Sequence, residues 1–83
     1  MTDYNNNPAG AKQYVLDQIK NIDEYFGSDI DVHFFRYYEA LGSLKAYFAI
    51  GLIDIFDYDE LLTNIALASN RFMQRITSPV EQI

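Results

Sequence analysis

His33 is the single histidine of an 83-residue chain that contains no cysteine. An imidazole acts as base, proton shuttle or metal ligand only with a companion: a nucleophile, an orienting carboxylate or further ligands. His33 follows Asp29 by four residues and precedes Arg36 by three, which on a helix gives an exposed i,i+4 pair with Asp29. No second histidine, thiol or glycine-rich phosphate loop stands beside it. No catalytic residue, cofactor site or enzymatic activity is therefore expected.

The densest group of carboxylates is Asp54, Asp57, Asp59 and Glu60. A calcium loop needs a glycine at its sixth position and ligands spread over twelve residues; neither is present, so no metal is expected. At the start of a helix these carboxylates complement the macrodipole, as Arg71 and Arg75 do near its end. They also form an acidic patch that only Lys12 and Lys45 are placed to balance. Six basic against twelve acidic residues give a formal charge of −6 and a pI near 4.4, which opposes direct binding to nucleic-acid phosphates. One reading is thus an acidic inhibitor of the type encoded by phages and mobile elements. It would mimic DNA, in the manner of anti-restriction or anti-CRISPR proteins, and block a basic nucleic-acid-binding protein.

The other candidate site is apolar. Residues 31–51 hold Phe34, Phe35, Tyr37, Tyr38, Tyr47 and Phe48, with Gly42 among them. Placed at 100° intervals and measured from Ile30, the series Ile30, Phe34, Tyr37, Leu41, Leu44 and Phe48 falls within about 40° and reads as a core seam. Tyr38, Ala49, Gly42, Phe35 and Ala46 follow between about 80° and 160°, so the apolar arc is about 200° wide where a surface helix needs little over 100°. Gly42, Ala46 and Ala49 make a hollow, and Phe35 and Tyr38 a ridge beside it. A second copy running antiparallel about a two-fold axis would seat its ridge in that hollow. The competing explanation is a central helix flanked on two sides, with Gly42 easing one crossing. Phe56 and Leu67 fall opposite the stripe of the following helix.

Three helices carry these residues. Asn7-Pro8 starts the first, with asparagine as N-cap and proline at the first helical position; Val15, Ile19, Ile22 and Phe26 make its stripe, and Gly27 is expected to end it in a left-handed conformation. Ser28 is expected to cap a second helix spanning about 29–50, with Asp31 completing a capping box, and Gly51 ends it. A break at Gly42, with Ser43 as a fresh N-cap, would give four helices; the unbroken phase of the stripe favours one continuous helix. Asp54 caps the third, supported by Asp57 and by an Ile53–Tyr58 hydrophobic staple. Tyr58, Leu62, Ile65, Phe72 and Ile76 form its stripe, flanked by Leu61, Ala68 and Met73, and Ser78-Pro79 stops it.

The expected fold is a small all-α antiparallel three-helix bundle with short connections. Residues 1–7 are expected as a disordered tail, 8–78 as a single helical domain and 79–83 as a C-terminal tail. No secretory leader and no run near the roughly 20 apolar residues of a membrane span is visible, and the lack of cysteine suits the cytoplasm. The functional expectation is a non-enzymatic protein-interaction module, self-associating as a homodimer through Phe35, Tyr38, Gly42, Ala46 and Ala49.

Overall fold

The computed structural model describes residues 7–77, and the expectations for 1–6 and 78–83 concern residues outside that range. Its three helices are α1 (Pro8–Asp23), α2 (Ile30–Ala49) and α3 (Ile55–Ile76), each packed on the other two, with no strand among the described residues. Their order in space follows from which residues meet. Lys12 near the start of α1 bonds Asp57 near the start of α3, and Asp23 at the end of α1 bonds Arg71 near the end of α3. Tyr14 of α1 instead meets Tyr47 late in α2, and His33 early in α2 meets Ser69 late in α3. The helices thus run up, down and up.

Local chemistry sets most ends. Asn7 Oδ1 accepts from the Gly10 amide at 2.7 Å with Pro8 at the first helical position, and Asp54 Oδ1 accepts from the Asp57 amide at 2.8 Å. Each cap satisfies an amide that the helix leaves without a partner. Gly51 has φ of 83°, and its amide bonds Phe48 O while the Leu52 amide bonds Tyr47 O. That pair of bonds is the Schellman arrangement, and the positive φ is why glycine stands there. Ile53 is buried and Tyr58 packs against the core, as the staple requires. α2 runs unbroken through Gly42.

The α1–α2 connection departs from expectation. α1 ends at Asp23, three residues before Phe26, whose ring is 79% exposed. Gly27 is not left-handed, since Gly51 alone has positive φ among the described residues. Its role is close approach: a Cβ at position 27 would lie 2.5 Å from the Tyr25 hydroxyl oxygen and 2.6 Å from Cζ. Tyr25 is pinned there because its hydroxyl accepts from the Asp29 amide at 2.9 Å and its ring stacks on Phe72. Asp29, not Ser28, caps α2, its Oδ1 accepting from the amides of Asp31 and Val32 at 2.9 and 3.4 Å. A carboxylate both accepts more strongly than a hydroxyl and complements the helix dipole. Arginines close the rest of this turn: Arg36 donates to Asn21 O, and Arg75 to the carbonyls of Tyr25, Phe26 and Gly27.

The core joins Ala11, Val15, Ile19 and Ile22 of α1, Ala40, Leu44 and Tyr47 of α2, Ile53, and Leu61, Ile65 and Ala68 of α3. Phe72 is buried with them. α1 buries Val15, Ile19 and Ile22 of its expected stripe but not Phe26, and α3 buries Ile65 and Phe72 together with the flanking Leu61 and Ala68, leaving Tyr58, Leu62 and Ile76 half-buried. α2 is turned: its buried residues are His33, Ala40, Leu44 and Tyr47, whereas Ile30 and Phe48 of the expected seam are 41% and 38% exposed. Ala40 is fully buried in the core, whereas the larger Leu41 beside it is only half-buried. The rotation amounts to about 60° on 100° spacing.

Candidate protein interface

Turning α2 toward His33 and Leu44 carries the surplus apolar residues to the far side. With the buried arc centred near 300° from Ile30, the opposite direction lies near 120°, which is the position of Gly42 itself. Phe35 and Tyr38 are 70% and 61% exposed, and Gly42, Ala46 and Ala49 are exposed with them. All five sequence-derived interface residues therefore share one outward face. A Cβ built on Gly42 would meet nothing within 4 Å. The glycine eases no crossing inside the bundle, which removes the packing explanation for it.

The ridge is partly braced. Tyr38 stacks against Phe34 at 5.9 Å and meets Tyr37 edge-on at 5.0 Å, so its rotamer is held by its own helix. Phe35 makes no ring contact among the described residues. Glu39 and Lys45 border the face, both exposed and neither in an ion pair with a described residue.

The acidic group is divided by the structure. Asp54 is spent as the α3 cap, and Asp57 accepts from Lys12 Nζ at 3.3 Å. Asp59 and Glu60 stay exposed, beside Ile55 and Phe56, which are 55% and 82% exposed. Lys12 joins this group as expected, whereas Lys45 lies on the α2 face and bonds none of the four.

His33 lies furthest from the exposed position its spacing predicts. It is fully buried, not paired with Asp29: its ring lies parallel to Phe72 at 3.9 Å and 4°, and Nε2 hydrogen-bonds Ser69 Oγ at 2.9 Å. Nδ1 is buried with no hydrogen-bond partner. Burial, and then the positive charge of Arg75, push its pKa below the ordinary value of 6.5, so the ring is neutral at pH 7. It serves packing between α2 and α3.

A shallow depression of about 190 Å³ lies between α1 and α3, lined by Ile22, Asp23, Tyr25, Ala68, Arg71, Phe72 and Arg75. Its charges are engaged. Arg71 binds Asp23 through two bonds of 3.0 and 2.8 Å, the hydrogen bond that raises its pKa, and Arg75 caps the α1–α2 connection. No three metal-ligating side chains converge among the described residues, and no described helix is long and apolar enough to cross a membrane. Comparison of the chain with protein-family models, curated proteins and solved structures finds no match.

Proposed function

We propose that this chain is a non-enzymatic protein-interaction module of the cytoplasm that self-associates through the outward face of α2. One observation carries the reading: two large rings stand exposed beside a glycine whose open side faces away from the bundle. Glycine in a helix interior costs about 0.5–1 kcal/mol relative to alanine, and here no internal contact offsets that cost. Close approach of another backbone would. Tyr and Phe are also the side chains that anchor interfaces.

Sedimentation equilibrium over a concentration series from micromolar to millimolar tests it. The expected mass exceeds that of one chain, and Phe35→Asp lowers it while helicity by circular dichroism is retained. A wild-type mass of one chain, or an unchanged mass in the variant, removes the reading.

A second reading, the acidic inhibitor of a basic nucleic-acid-binding protein, is favoured by Asp59 and Glu60 standing free next to exposed Phe56. Salt separates the two, because attraction to a basic groove weakens steeply with ionic strength. Two copies that each carry −6 and meet through apolar surface hold or tighten as salt screens their repulsion.

A further inference from the structure

We propose that two copies of the chain pack α2 on α2 antiparallel, about a two-fold axis through Gly42; this rests on the self-association reading and adds its register. Under such an axis, each residue after Gly42 lies level with the residue equally far before it in the other copy. The face is self-complementary under that operation. Phe35 comes level with Ala49 and Tyr38 with Ala46.

Each level then holds one ring beside one methyl, not two rings or two methyls, so the seam fills evenly while the backbones meet at glycine. Measured from Gly42, Phe35 and Ala49 deviate by about 20°, Tyr38 and Ala46 by about 40°, and Glu39 and Lys45 by about 60° on 100° spacing. The rings and methyls thus occupy the contact arc, as isologous contact between identical surfaces requires, while Glu39 meets Glu39 on one rim and Lys45 meets Lys45 on the other, so the apolar seam alone carries the pairing. A parallel pair would set ring against ring and methyl against methyl along the seam. An axis displaced by one residue would bring Ala40, Leu44 or Tyr47 to the seam, and all three are buried in the bundle.

From Phe35 to Ala49 the face is about 21 Å long. One helix face is less than the roughly 800 Å² per partner of stable complexes, so the dimer is weak and exchanging.

The chain has no cysteine, which makes single-cysteine cross-linking a direct test of register. A disulfide needs Cα atoms about 4.4–6.8 Å apart. At the axis, Gly42→Cys meets that distance, and its Cβ has nothing to strike in its own chain. The two copies of residue 46 are about 12 Å apart along the helices and those of residue 49 about 21 Å. Under mild oxidation Gly42→Cys is expected to give covalent dimer at least tenfold faster than Ala46→Cys, Ala49→Cys or the α3 control Asn70→Cys. Equal rates, or faster linkage at 46 or 49, overturn the register. Sedimentation of the wild type tells the failures apart: a dimer with the wrong cross-link leaves self-association standing, whereas a monomer overturns both.

Discussion

The two faces of α2 differ in what their residues do for the fold. The inward face joins Ala40, Leu44 and Tyr47 to the core, all between 0 and 8% exposed, and sets His33 flat on Phe72. The outward face has as many apolar atoms to bury and buries few of them, although it belongs to the same helix and the same twenty residues. Apolar character alone therefore does not decide burial. The two neighbouring helices select one arc, and what lies opposite stays available.

If that contrast is right, the largest effect belongs to the inward face. Leu44→Ala should cost about 2–5 kcal/mol of unfolding free energy, as fully buried leucines do, read from urea denaturation followed by far-UV circular dichroism. A loss under 1 kcal/mol would mean that Leu44 is not a core residue.

His33 gives an inward effect that depends on pH. Its pKa is lowered in the folded chain by burial and by Arg75, so the unfolded chain binds the proton more readily. Its contribution to stability is whole above about pH 6.5 and is lost as pH falls from there toward the folded value. On α3 the groups facing it are Ser69, Phe72 and Arg75, and on α2 Phe34 and Tyr37; no carboxylate stands among them to welcome the charge. His33→Phe should flatten the slope of stability between pH 7 and 5.5. An unchanged slope would assign it to other groups.

Outward changes should be smaller in the monomer and opposite in sign. Gly42→Ala should raise the unfolding free energy measured at concentrations low enough to keep single chains by about 0.5–1 kcal/mol, because alanine is the better helix former and its methyl meets nothing. A loss would show a contact at Gly42 within the chain. Smallest of all, Phe35→Ala should move monomer stability by no more than about 0.5 kcal/mol while lowering the assembled mass; a cost of several kcal/mol would make Phe35 part of the core.

Those contrasts mark what the sequence could convey. Asn7-Pro8, Asp54 and Gly51 act through atoms one turn away, so the caps and the breaks were readable from neighbouring letters. The rotation of α2 was not. Two stripes with the same four-three rhythm run along this helix, one through Phe34, Leu41 and Phe48 and the other through His33, Ala40 and Tyr47, and both include Tyr37 and Leu44. The first has the larger side chains. Choosing the second depends on room near α1 and α3, where a methyl at Ala40 fits and Phe72 offers a flat partner to an imidazole. A lone histidine is ordinarily assigned to the surface, and that assignment hid the second stripe. The outward face was legible even so, because Phe35, Tyr38, Gly42, Ala46 and Ala49 stay together whichever stripe turns inward.

The stack of His33 on Phe72 also gives the molecule a built-in spectroscopic signal. With one histidine in the chain, the imidazole proton resonances belong to a single site, and a phenyl ring 3.9 Å above it shifts them upfield by its ring current. Separation of α2 from α3 by a few ångströms would remove that shift, so one peak reports whether the two helices are closed at this contact through any variant series.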